Sequence, residues 1–290
     1  MSDTKNWPDR RITPWREDLA AVHLQGVVEV KHYNEPARHQ VVLPVVPLHR
    51  RPAAASGLET QLLFGRLFDV YDVANGWAWG QEVIENGPWA GKGYVGYVPK
   101  MALSLPVFVP THRVSAMRAP VFAKPDLKSA IRNSLPLGAK IPLEEAEEDY
   151  YGFLDQGFVH KNHVTEVGIT GGDFVSVAEQ HIGLPYVWGG ISPDGVDCSG
   201  LVQTSLRATG RDAPRDADMQ ERELGKTVCD GAALQRGDLV FWKGHVGIMR
   251  DGETLLHANA YHMKVASEPL SEAIDRIERK GGPVRAFKRL

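Results

Sequence analysis

The stretch Tyr186–Gly200, YVWGGISPDGVDCSG, sets Cys198, one of only two cysteines in the chain, at the end of a Gly-rich approach to an apolar run. A nucleophilic thiol needs such a setting, exposed at its tip and held by backbone on both sides. Asp197 precedes the cysteine, Ser199 and Gly200 follow it, and Ser199–Ala208 reads as a helix stopped by Gly210. A helix starting there aims free N–H groups and its positive end at the sulfur. That predicts a lowered thiol pKa and a receiver for an oxyanion. The competing reading is a small buried thiol, and the Asp and Gly neighbours argue against it. Cys229, in KTVCDGA, lacks this frame and reads as incidental.

Two histidines supply a base and an orienter. His245, in KGHVGIM, reads as a strand residue with Gly244 leaving room beside the ring. An imidazole titrating near neutrality takes a thiol proton and returns it to a leaving amine. His257, in LLHAN, falls on the next strand of a hairpin turning through Asp251–Gly252. There it can accept a hydrogen bond from the first ring and fix its tautomer. A core histidine is the alternative for each. A zinc site built from Cys198, His245, His257 and His262 lacks a paired-cysteine motif, so no metal and no cofactor is expected.

Working outward, 290 residues allow about two domains. With 43% hydrophobic and 24% charged residues the chain is an ordinary folded protein. Gly (29) and Pro (19) favour turns and short strands, and a net charge of -3 gives no basic field for nucleic acid. The polar start MSDTKNWPDRRITPWRED lacks a signal-peptide core, and no later run suits a membrane span. With two cysteines, the expectation is a cytoplasmic protein.

Residues 1–29 read as an arm, with a short strand at Gly26–Val30 where it meets the first domain. Leu62–Val73 (LLFGRLFDVYDV), Trp77–Gln81 (WAWGQ) and Tyr94–Val98 (YVGYV), broken at Asn75–Gly76 and Asn86–Gly87, read as a small antiparallel barrel over 30–105. Leu135–Leu143 and Tyr150–Val159 (YYGFLDQGFV) echo it, which suggests a second barrel over 106–165. From Asp173 the texture changes. A helix over Asp173–His181 and the helix behind Cys198 precede strands at Leu239–Trp242, His245–Met249, Thr254–Ala258 and Pro283–Lys288.

The blocks PYVWGGISPDGVDCSGLVQ, LQRGDLVFWKGHVGIM and LLHANAYHMKV resemble, in order and spacing, the NlpC/P60 family of papain-like cysteine peptidases over about residues 170–290. The resemblance implies an α+β catalytic domain over 166–290. In it Cys198 is nucleophile, His245 base, His257 the polar third residue, and Tyr186 sits by the oxyanion site. Asp197 and Ser199 match positions lining the pocket of members that take short peptides with a free amine. The front half resembles the bacterial SH3-like domains of the subgroup that cleaves murein peptides between D-glutamate and the diamino acid. In that subgroup the first such domain holds the substrate amine, which carries over here to Glu59 and Tyr94. This chain departs from that pattern at Gly65–Arg66, where relatives often have Gly-Glu.

The resulting expectation is two SH3-like barrels before a papain-like domain. The enzyme would hydrolyse the γ-D-glutamyl–diamino acid bond of free stem peptides with N-terminal L-Ala, in cell-wall peptide recycling. Its rivals are a broader peptidoglycan endopeptidase or amidase, and an inactive wall-binding protein. The second is disfavoured by the presence of Cys198, His245 and His257 together. Neither nucleic acid nor membrane is an expected partner.

Overall fold

A computed structural model describes residues 7–290 apart from Asn86, Glu145, Glu148 and Asp230. The first six residues of the expected arm, and the Asn86 half of one expected break, lie outside the described residues. The chain divides into two compact units, Met1–Pro110 and Thr111–Leu290.

In the first unit, seven antiparallel strands run in the order Leu58–Leu63, Val45–His49, Val95–Pro99, Trp77–Glu82, Leu67–Ala74, Ala37–Val41, Leu103–Ser104. The central hairpin turns on Asn75 (φ 50°) and Gly76 (φ 79°). Both carry the positive φ that a two-residue turn needs to match strand twist. Alternate residues of these strands, Leu48, Leu62, Phe68, Val70 and Val98 among them, fill one core. The arm is not merely polar. Trp15, Leu19, Leu24 and Val28 bury against Tyr71 and Trp79 on a second core. The expected strand at Gly26–Val30 is instead a turn, with Gly26 at φ 82° and the Val28 N–H donating to the Leu24 carbonyl. The strands here are Leu19–Ala21 and His32–Asn34, paired in parallel.

The second unit opens with a three-stranded sheet (Lys140–Ile141, His112–Val114, Val164–Glu166). Beside it in sequence is a five-stranded one (Ile131–Pro136, Arg118–Phe122, Gly157–His160, Tyr150–Phe153, Ala146–Glu147). Closure of either region into the expected barrel is not seen: among the described residues both β-rich regions are open sheets, because each ends on edge strands that do not pair with one another. The echo that suggested duplication does hold locally: Trp77–Glu82 pairs with Val95–Pro99 as Tyr150–Phe153 pairs with Gly157–His160.

The catalytic part follows in the same unit. Helix α1 (Phe174–Glu179) is capped by Asp173, whose side chain accepts from the Val175 N–H. Helix α2 (Cys198–Ala208) packs against the strands His245–Met249 and Thr254–Asn259. After α3 (Ala217–Glu223), the chain builds a six-stranded antiparallel sheet. Its order is Lys226–Thr227, Ala286–Arg289, Leu239–Trp242, His245–Met249, Thr254–Asn259, Lys264–Pro269. Helix α4 (Leu270–Gly281) covers Val240, Trp242, Met249 and Leu255 with Leu270, Ala273, Ile274 and Ile277. That i, i+3, i+4, i+7 spacing is the stripe a helix needs to cover a sheet.

Candidate active site

Asp197 starts the nucleophile helix. Its Oδ1 accepts from the Gly200 N–H at 2.7 Å, satisfying one of the free donors of the first turn of α2. Gly200 is required there, since a Cβ would lie 2.2 Å from the Gly190 carbonyl oxygen. The Gly-rich approach thus folds back onto the helix start and brackets Cys198.

Both Asp197 oxygens are taken up by the chain itself. Arg215 clamps them at 2.8 Å and 2.6 Å, the Gly189 N–H donates to Oδ2 at 2.8 Å, and the Ser199 hydroxyl leans on Oδ1 at 3.3 Å. Arg215, with its side chain 4% exposed, also reaches the Ser199 hydroxyl at 3.1 Å. A substrate ammonium reaching Asp197 would have to displace one of these donors. A carboxylate has about four lone-pair sites, and five donors already fill them. Ser199 belongs to the same network. Gln220 on α3 ties down its carbonyl at 3.0 Å, so α3 is fastened to the helix start.

Cys198 is buried, not exposed at its tip. Burial, with the Asp197 charge adding, pushes its thiol up to about 12, against the pull of the Val246 and Ser199 backbone N–H groups and of Arg215. The expected lowering by the helix end is therefore overturned in the resting site: desolvation outweighs it. The Val246 contact places the sulfur beside the strand that carries His245. Tyr186 is half-buried next to it. Burial raises its phenol, the charges of Cys198 and Asp197 raise it further, and Arg215 opposes.

The imidazoles form a chain. His245 Nε2 lies 2.9 Å from His257 Nδ1, and His257 Nε2 lies 2.7 Å from Glu268 Oε1. Burial would raise the Glu268 carboxyl, but its bonds to His257 and Arg276 win and hold it at about 2. An ionised Glu268 only accepts, so His257 carries its proton on Nε2 and accepts at Nδ1. His245 must then donate from Nε2, which leaves Nδ1 as the basic nitrogen. Burial lowers His245 to about 3, helped by His257 and Arg276 and opposed by Glu268. The resting site is an uncharged thiol and an uncharged imidazole. A proton passed from such a thiol to such an imidazole would create both charges together, and each would offset the other's loss of hydration.

Sequence reading missed four residues here. Glu268 orients His257, and Arg276 on α4 holds Glu268 through both carboxylate oxygens, at 2.6 Å on Oε2. Arg215 and Gln220 hold the helix start. A buried Asp helix cap announces that a cation must meet it, but nothing in the chain order says which one.

Of the four residues weighed and set aside as zinc ligands, His257 and His262 do come together, with Glu268 and without Cys198. Their ligand atoms lie within 4.8 Å of one another. Both nitrogens of His257 are engaged by His245 and Glu268, so an ion at this spot would break the chain. Cys229 is an exposed free thiol.

Glu59 and Tyr94 lie in the first unit. Glu59 pairs with Arg50, and Tyr94 is 3% exposed in the sheet core. An alanine at Tyr94 therefore removes core packing.

Residues 183–276 match the family model of NlpC/P60, and residues 48–84 match that of the bacterial dipeptidyl-peptidase SH3 domain. A γ-D-glutamyl-L-lysine dipeptidyl-peptidase of Bacillus subtilis is 28% identical over 239 residues, covering 75% of this chain and 77% of that protein. A "probable endopeptidase" of Corynebacterium glutamicum is 38% identical over 106 residues, 36% of this chain and 47% of that protein. The crystal structure of an NlpC/P60 family protein from Bacillus cereus shares the fold, with a TM-score of 0.73 at 22% identity. It covers 87% of this chain and 99% of that one. The C-terminal part of the chain is an NlpC/P60 family cysteine-peptidase domain with its catalytic cysteine, Cys198, in place and buried. An SH3-like domain precedes it.

Proposed function

We propose that this cysteine endopeptidase hydrolyses the γ-D-glutamyl–diamino acid bond of murein stem peptides that begin with a free L-Ala. Cys198 attacks the γ-carbonyl as His245 Nδ1 takes its proton. The backbone N–H groups at the start of α2 face the developing oxyanion, beside Tyr186. His245 returns the proton to the leaving amine, and water then releases the acyl group from sulfur.

One observation favours this reading over a general wall endopeptidase. The likeness to the γ-D-glutamyl-L-lysine dipeptidyl-peptidase runs over 239 residues, whereas that to the "probable endopeptidase" stops at 106. A specificity that resides in the catalytic domain alone would not need the longer match. Recognition of the amine belongs to the same proposal, with Glu59 as the candidate carboxylate in place of Asp197. A cytoplasmic setting is also proposed, on the strength of two free thiols.

Product analysis on L-Ala-γ-D-Glu-diamino acid peptides, with and without an acetylated L-Ala amine, tests the proposal. The free peptide should be split after D-Glu and the acetylated one refused by about thirty-fold or more in kcat/KM. Cys198→Ala should cleave neither while keeping its circular dichroism. Equal kcat/KM on both peptides would move the assignment to the broader endopeptidase.

A further inference from the structure

A cavity of about 350 Å³ opens in the first unit at the Asn75–Gly76 end of the central hairpin. That size falls in the range of small-molecule sites, about 300–1,000 Å³. Trp77, Trp79 and Tyr97 supply aromatic walls, Pro52 and Ala74 apolar ones, and Arg16 and Asp72 the charged floor.

Arg16 shows what this floor attracts. Its guanidinium stacks 4.8 Å from the Trp79 ring centre. It bonds Asp72 Oδ2 at 2.5 Å, Asp18 Oδ1 at 2.8 Å and the Tyr97 hydroxyl at 3.2 Å. One cation thus serves two carboxylates, so the cavity keeps an excess negative charge. Only Oδ2 of Asp72 is engaged among the described residues, and the Asp18 side chain is 56% exposed. Aromatic ring faces add negative potential of their own. An anion entering here would meet two carboxylates. A guest without a hydrogen-bond donor would cover Asp72 Oδ1 without pairing it, which costs free energy. A cation meets neither penalty, and Pro52 and Ala74 can pack against methylene groups behind it.

We infer that this cavity binds a primary ammonium carried on an aliphatic stem, the chemistry of a lysine or other diamino-acid side chain. It is built wholly from residues of the first unit, and neither the thiol nor the imidazoles line it.

The full-length protein, titrated with Nα-acetyl-lysine amide, tests this by NMR of the tryptophan indole N–H signals. The Trp77 signal, identified by its loss in Trp77→Phe, should shift saturably. Nα,Nε-diacetyl-lysine amide, of nearly the same shape but uncharged, should shift it little. Asp72→Asn should weaken binding by about threefold to tenfold, and raised salt should weaken it too. Asp18→Asn, at an exposed position, gives the same reading without disturbing the pair beneath. The inference is overturned if the diacetylated probe binds as well, if Asp18→Asn and Asp72→Asn both bind as wild type, or if no saturation is reached by either probe.

Discussion

Two carboxylate–arginine pairs hold the active site, and they do different work. Asp197–Arg215 fixes the start of the nucleophile helix, and Glu268–Arg276 fixes the imidazoles. The first is closed: side-chain exposures are 4% and 9%, and backbone and hydroxyl donors fill what Arg215 leaves. The second is partly open, with Arg276 at 21%, and it shares one oxygen with a titratable ring. The same ionic motif is scaffold in one place and control of protonation in the other. What decides is whether the carboxylate's remaining lone pair meets a group that can change charge.

The sharpest way to break this contrast is Arg215→Met. Leaving Asp197 buried and unpaired should cost about 3–5 kcal/mol of stability, because its hydration is not restored. Urea unfolding measures it. A midpoint equal to wild type would show that the pair is not the scaffold of the helix start.

Glu268→Gln should do the reverse, changing turnover far more than stability. The amide can still accept from His257 Nε2, but the charge that favours an imidazolium is gone. We expect kcat to fall about tenfold to a hundredfold with KM nearly unchanged. Glu268 raises the pKa of both histidines, so its loss should also move the acid limb of kcat/KM to lower pH. An unmoved acid limb would reduce Glu268 to a packing residue.

A third expected effect is on stability against pH. His245 is lowered from 6.5 to about 3 by burial, and Glu268 is held at about 2, below its ordinary 4.5, by His257 and Arg276. As pH falls below about 6.5 the unfolded chain binds protons that the folded site refuses. Stability is therefore complete above that pH and lost progressively toward 3. The Tm of wild type should drop more steeply from pH 7 to 4 than that of His245→Gln. Parallel curves would place the acid-sensitive groups elsewhere.

Much of the catalytic part was legible because its signals are local. Cys198 with Asp197 and Gly200, the His245 strand, and the hairpin that carries His257 all lie within runs whose periodicity and turn residues speak for themselves. Arg215, Gln220, Glu268 and Arg276 were not legible, since each acts on a partner that only the fold brings near. The arm was misread because its tryptophan and leucines are interleaved with charges, and their partners Tyr71 and Trp79 lie far along the chain. The α4 stripe Leu270, Ala273, Ile274, Ile277 was present in the sequence but sits among many charged residues. The thiol pKa was misjudged because a helix start can be read from sequence, whereas the depth of its burial cannot.

That depth has a chemical corollary. Oxidants and alkylating agents attack the thiolate form, and they need access to it. Cys198, buried and held as a neutral thiol at rest, is shielded from both, while Cys229 stands in the open. A general thiol reagent applied to the resting protein would mark the bystander and spare the residue that does the chemistry.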